Sequence, residues 1–274
     1  MSKLKGKYVL ITGAAGGLGR DLSLSFGKRG AHILAVDIQG DPLLSLKEEL
    51  ETNGVAVSTY VCDIGDNEKV KAIVEEISLN HASLDVVIHN AGISHRCGFQ
   101  GMSPKVMGSI LNVNINGSLY MTHHTLPIIT RSKGAYVVIS SVAGFAPLLG
   151  RSIYAASKHA LHGFFETLRG EVEDEGVNVM IVCPSFIKTP LEKNAMQGDG
   201  KPVQHEKQIV GNVLLPEYVA ECVYKGVVVG KRRLNISPVA KLSWWLNRIS
   251  PRLYARVMKR KMRLELESTR DIQH

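Results

Sequence analysis

Short runs of aliphatic and β-branched residues recur along the chain, separated by longer stretches in which apolar positions return every three to four residues. The short runs, at 8–12, 32–36, 55–61, 84–89, 135–140 and 177–183, read as strands. The longer stretches predict helices over about 18–29, 41–52, 67–80, 104–131, 152–173 and 216–229. Strands alternating with helices of this length imply right-handed crossovers, so the expected fold is α/β, a doubly wound parallel sheet covered on both faces. No repeat or Pro/Gly-rich linker divides residues 1–237, which read as one domain. The segment after the sixth strand, about 185–215, is irregular and carries Gly198, Gly200 and Pro202. At the carboxyl end of a strand, such a segment reads as a substrate lid.

Composition changes this picture only at one end of the chain. A hydrophobic share of 45% belongs to a soluble globule and argues against disorder. The net charge of +8 would suggest nucleic acid if it were spread evenly. It is not: residues 1–230 hold 21 Lys and Arg against 22 Asp and Glu, whereas residues 231–274 hold 12 against 3. With a near-neutral domain and no nucleic-acid motif, no nucleic-acid partner is expected. Cys62, Cys97, Cys183 and Cys222 lie far apart without a CxxC pair, which argues against a disulfide framework and for a reducing compartment. Apolar runs are too short for a signal sequence or a membrane span, so a cytoplasmic protein is expected.

Candidate chemistry begins where the first strand ends. Thr12-Gly13-Ala14-Ala15-Gly16-Gly17-Leu18-Gly19 follows that strand and opens the first helix. Glycines there allow a tight turn and bring backbone N–H groups close to a pyrophosphate at a helix N-terminus. Asp37 closes the second strand, where a carboxylate accepts hydrogen bonds from the adenosine ribose and repels a 2′-phosphate. No Lys or Arg lies between Gly13 and Gly19, so NAD is expected in preference to NADP. Tyr154 and Lys158 stand at i and i+4 of a helix and project from one face. A free tyrosine titrates near pH ~10, and a neighbouring ammonium lowers that value toward useful proton transfer. Ser141 ends the fifth strand and is placed to hold a substrate oxygen.

Together these motifs resemble the short-chain dehydrogenase/reductase family, of the single-domain type with a Rossmann fold, over about residues 5–237. Gly13, Gly17, Leu18 and Gly19 match its TGxxxGxG loop, Asp63 with Ile64 its adenine-contacting segment, and Asn90-Ala91-Gly92 its NAG motif. Asn114 fits its helix-four asparagine, Ser141 its catalytic serine, and Ile187 and Thr189 the IxT segment after Pro184. Ser185 departs from the pattern, which usually has glycine after that proline. The resemblance implies an oxidoreductase that passes a hydride between NAD(P) and a carbonyl or secondary alcohol. Tyr154 would exchange the proton, Ser141 would hold the oxygen, Lys158 would bind the nicotinamide ribose, and Asn114 would hold a water of the proton relay. It also implies a homodimer or homotetramer, packed through the long helices near 104–131 and 152–173. A catalytically silent dinucleotide-binding regulator or membrane-associated scaffold is the alternative. Ile93, Val142, Phe145, Leu148, Leu149, Phe186 and Leu191 form an expected apolar pocket, with His95 and Arg96 as its polar members. That composition favours a lipid-, steroid- or aromatic-like substrate. His123, His124, His159 and His162 lack a third clustered ligand, so no metal is expected.

The basic tail, 238–274, is expected to be helical and amphipathic. Leu242, Trp245, Leu246 and Ile249 fall at i, i+3, i+4 and i+7, and a second helix after Pro251 places Arg252, Arg256, Lys259 and Arg263 on one flank. Two dispositions follow: the stripe lies on an anionic membrane surface, or it packs on the chain's own domain or a sister subunit.

Overall fold

The inner strands are buried along nearly their whole length, as expected of a parallel sheet covered on both faces. The computed structural model describes residues 4–189, 191, 194–203, 209 and 211–262. Its strands are β1 (Tyr8–Thr12), β2 (His32–Asp37), β3 (Val57–Val61), β4 (Val86–His89), β5 (Ala135–Ile139), β6 (Asn178–Cys183) and β7 (Arg233–Asn235). They form one sheet in the order β3-β2-β1-β4-β5-β6-β7, and every pairing is parallel. The order reverses between β1 and β4, and the crevice at their carboxyl ends is where such folds bind ligands.

One apolar layer joins the sheet to α1 (Gly17–Gly27), α2 (Gly40–Thr52) and α7 (Pro216–Val228), through residues such as Leu22, Phe26, Leu46 and Val223. The other joins it to α3 (Asn67–Asn80), α5 (Gly117–Ser132) and α6 (Ser152–Val172), through Val74, Met121, Ile129 and Phe165. Three features depart from the sequence reading. The expected helix 104–131 is α4 (Pro104–Leu111) and α5 joined by a π turn over Asn112–Asn116. Val55 and Leu84 are buried but precede the strands assigned to them. The edge strand β7, three residues of mixed polarity, was not anticipated.

Beyond β7 the chain forms α8 (Pro238–Ile249) and α9 (Pro251–Lys261), each with proline in its first turn. The expected stripe divides between two faces. Leu246 packs inward with Tyr254, Met258 and Met262 against Val142, Phe145, Leu148 and Leu149. Leu242, Trp245 and Ile249 point outward and stay exposed. Arg263 and the rest of the tail to 274 lie outside the described residues, as do parts of the expected lid, 190, 192–193, 204–208 and 210. Of that lid, Phe186 and Lys188 exchange backbone hydrogen bonds with Leu214, and Met196 with Ser94 and Arg96. No helix among the described residues is long and apolar enough to cross a membrane.

Candidate active site

At the carboxyl ends of β1 and β4, the loop after β1 turns on Gly13, whose φ of +63° is left-handed. A Cβ there would lie 2.8 Å from the Ala91 Cα, so glycine is needed both for the turn and for the neighbouring loop. The two loops are laced together. Thr12 Oγ1 accepts from the backbone N–H groups of Asn90 and Ala91, each at 3.1 Å. The Asn90 amide donates to the carbonyls of Thr12 and Gly13, at 3.1 and 3.0 Å. A Cβ on Gly19 would meet the Gly13 carbonyl, so glycine lets α1 begin hard against the loop. No side chain caps α1, and no acid lies in its first turn. Its N–H groups and dipole face the crevice as a cradle for an anion.

Asp37 ends β2 with its two carboxylate oxygens accepting from the N–H groups of Ala15 and Gln39, both at 3.0 Å. Asp63 accepts from the Gly65 N–H at 2.9 Å. These groups line one cavity of about 460 Å³ with Gly13, Leu18, Ile64, Asn90, Ala91 and Gly92. The cavity continues past Pro184, Ile187 and Thr189 to Ser141, Tyr154 and Lys158. Gly17 and Gly19 are not among its lining residues; Gly17 opens α1, and Gly19 lets that helix begin close against the loop.

The residues expected to be catalytic sit at the far end. Tyr154 lies in the first turn of α6, buried, with Lys158 one turn later and its ammonium 5.7 Å from the tyrosine ring centre. Lys158 Nζ donates to the Ile139 carbonyl at 2.9 Å, and burial pulls its pKa down to about 8. Ser141, just beyond β5, accepts from the Ala143 N–H at 3.1 Å. Asn114 does not line the cavity. It occupies the π turn and is fully buried, accepting from the Ile93 N–H at 2.8 Å and donating to the Ile93 carbonyl at 3.0 Å and to Ser157 Oγ at 2.9 Å. It thereby locks the loop after β4 to α6. The π turn supplies the extra residue that rotates this asparagine inward.

The pocket expectation needs correction at four positions. Ile93, Val142, Leu148, Phe186 and Leu191 line the cavity. Phe145 and Leu149 instead pack against the buried cluster of Ala146, Tyr254, Met258 and Met262. His95 and Arg96 are buried beside the cavity, outside its lining, and His95 Nε2 accepts from the N–H groups of Ile153 and Tyr154, at 3.2 and 3.3 Å. Packing of the tail on the chain's own domain was one of the two expected dispositions, but no tail residue was assigned to the pocket: Val239, Ser243, Tyr254, Met258 and Met262 complete the cavity wall. The signal was available, because Tyr254, Met258 and Met262 recur every fourth residue on one helix face.

The residues present fit a dinucleotide. An uncapped helix N-terminus behind a glycine turn suits the pyrophosphate, and carboxylates at the ends of β2 and β3 suit the adenosine. Beside Pro184, the Ser185 hydroxyl is buried without a hydrogen-bond partner. A buried tyrosine with a buried lysine one helical turn later, beside such a cradle, is an arrangement suited to a nicotinamide-dependent oxidoreductase. The family follows from sequence: a model described as short chain dehydrogenase matches residues 7–200, and the chain belongs to the short-chain dehydrogenase/reductase family. It is 32% identical over 275 residues to dehydrogenase/reductase SDR family member 7B of Bos taurus, covering 97% of this chain and 84% of that one. It is also 32% identical over 222 residues to the 3-oxoacyl-[acyl-carrier-protein] reductase FabG of Thermotoga maritima, covering 81% and 90%. In fold it matches a short-chain dehydrogenase/reductase of Burkholderia phymatum solved in complex with NAD, with a TM-score of 0.81, 21% identity, and 92% and 96% of the two chains covered. The chain is an NAD(P)-dependent oxidoreductase acting on CH–OH or C=O groups.

Proposed function

We propose that this enzyme uses NAD(H) in preference to NADP(H) and acts on an apolar carbonyl or secondary alcohol, with Tyr154 as its general acid–base. The observation that carries the reading is the placement of Tyr154, Lys158 and Ser141 at one end of a cavity whose other end is the glycine cradle with Asp37. When bound, the nicotinamide supplies or accepts the hydride. Ser141 orients the substrate oxygen, and Tyr154 gives or takes the proton at that oxygen. Lys158 holds a cation near the phenol, favouring its anionic form, and is placed to bind the nicotinamide ribose. Asn114 holds Ile93 and Ser157 in register, and a water of the proton relay is assigned beside it. Gly13 and Leu18 take the pyrophosphate, with Gly17 and Gly19 letting the helix start close behind them; Asp63 and Ile64 take the adenine, and Asn90, Ala91, Gly92, Pro184, Ile187 and Thr189 the nicotinamide half.

Asp37 supports the choice of cofactor, since a 2′-phosphate would face its carboxylate and no Lys or Arg lies between Gly13 and Gly19 to offset it. NADH should bind more tightly than NADPH, measured by fluorescence titration, and Asp37→Ala should narrow or reverse the gap. Tighter NADPH binding by the unmutated protein would contradict the assignment. The apolar substrate is supported by Ile93, Leu148, Phe186, Leu191 and Met258 along the wall; a panel of aldehydes, ketones, steroids and acyl-chain carbonyls tests it.

Residues 1–237 form the catalytic unit in this reading, with a lid over about 185–215, and 238–274 a basic tail that associates the cytoplasmic enzyme with an anionic membrane surface. The enzyme is a homodimer or homotetramer. The exposed face of α6 supports that assembly, since Ala156, Ala160 and Gly163 leave room for a second helix to approach closely.

A further inference from the structure

We infer that the outward face of α8 and α9 is the docking surface for an anionic lipid bilayer, and that these two helices hold the wall of the substrate cavity against it. This rests on the reading that the tail associates with membrane, and assigns the residues that make contact and what lies behind them.

The two helices are apolar on opposite sides. Inward, Tyr254 and Met258 are buried and line the cavity together with Ser243 and Met262. Outward, Leu242 is 66% exposed, Trp245 62% and Ile249 76%, and Leu253 and Val257 of α9 are exposed beside them. Large apolar side chains grouped this way on two adjoining helices mark a surface meant to be covered. Cations surround them: Lys241, Arg248, Arg252, Arg256, Lys259 and Arg260 are all exposed. From residue 231 the chain carries no acid before Glu265.

That charge pattern selects the occupant. A second copy meeting this face about a two-fold axis would set the same cations against each other, an arrangement that repels. Nucleic acid would satisfy the cations but leave the leucine, tryptophan and isoleucine side chains without a partner. An anionic bilayer satisfies both, taking the apolar side chains into the headgroup boundary and the cations among lipid phosphates and carboxylates. The adjacent tryptophans divide accordingly. Trp244 turns inward, edge-on to Phe145 at 5.2 Å and beneath the Arg233 guanidinium at 3.9 Å, whereas Trp245 faces out. A docked enzyme keeps its cavity about one helix diameter, ~10 Å, from the lipid headgroups. Among the described residues, α8 and α9 then stand between the bilayer and the cavity on this side.

The experiment uses the full chain with vesicles of phosphatidylcholine containing phosphatidylserine, and with pure phosphatidylcholine as control. Sedimentation should be strong on the anionic vesicles, weak on the neutral ones, and suppressed by salt. Tryptophan emission should shift to the blue on binding. Trp245→Phe should abolish that shift, and Trp244→Phe should keep it. R252E/R256E should weaken vesicle binding about tenfold or more while NADH affinity in solution is unchanged. Failure to sediment at low salt would overturn both the membrane association and the docking face. Sedimentation with the Trp245 environment unchanged would overturn the docking face alone and leave the association standing. Trp245→Glu converting an oligomer to a monomer without altering vesicle binding would assign the face to a second copy and likewise overturn the inference.

Discussion

Tyr154 owes part of its position to a side chain 59 residues away. Helix α6 has Arg151 at its N-cap with no side-chain capping bond, and His95 Nε2 fills that role for the Ile153 and Tyr154 N–H groups. An acceptor at Nε2 fixes the neutral tautomer with its proton on Nδ1, facing Cys97 Sγ at 3.6 Å. His95→Leu should therefore destabilise the protein by about 1–2 kcal/mol, the usual worth of a cap, and lower kcat with little change in NADH affinity. His95→Gln places an oxygen near the Nε2 position and should restore most of both, measured by thermal denaturation and steady-state turnover. Equal losses for leucine and glutamine would show that capping is not what His95 does. A sequence cannot announce such a cap, because the acceptor and the helix meet only after the fold has formed. Asp37, Tyr154 and Lys158 could be picked out beforehand because each carries a local sign, a carboxylate at a strand end or a tyrosine and lysine one helical turn apart.

Elements were most legible where a period of hydrophobicity ran unbroken. Six of the seven strands and α1, α2, α3, α6 and α7 lie close to their expected positions. The helix 104–131 did not, since its π turn is imposed by Asn114 reaching Ile93 and Ser157, a tertiary demand on a stretch that is locally helical. β7 escaped notice because three half-buried residues carry no period, and it exists only as an edge on β6. The tail was expected to carry one apolar stripe, whereas Leu246 turns inward and Leu242, Trp245 and Ile249 outward, a division that depends on α9 folding over the cavity. The long helices also carry the proposed assembly. Light scattering at micromolar concentration should show a dimer or tetramer, and Ala160→Arg, on the exposed face of α6, should shift it toward monomer. A wild-type monomer would contradict packing through these helices.

For the molecule as a whole, acid should loosen the fold before it titrates most carboxylates. Burial pulls His89 and His162 down to about 3 and His95 down to about 4. An unfolded histidine titrates near pH ~6.5. Between those values the unfolded chain binds more protons, so the stabilisation is complete above about pH 6.5 and is lost as pH falls toward 4 for His95 and toward 3 for His89 and His162. At pH 5 the loss is on the order of 2 kcal/mol for each of the three, and Tm should drop by roughly 10 °C or more from its value at pH 7. A Tm that stays level over that range would mean these rings are not held neutral. Every role proposed for the site depends on Tyr154 as the proton-transfer group. The most direct measurement is turnover of Tyr154→Phe on the best carbonyl substrate found by screening with NADH, with cofactor affinity measured on the same preparation. Turnover should fall by about 10² to 10⁴ while NADH binds nearly as before. A folded Tyr154→Phe enzyme that turns over at the wild-type rate would contradict the assignment.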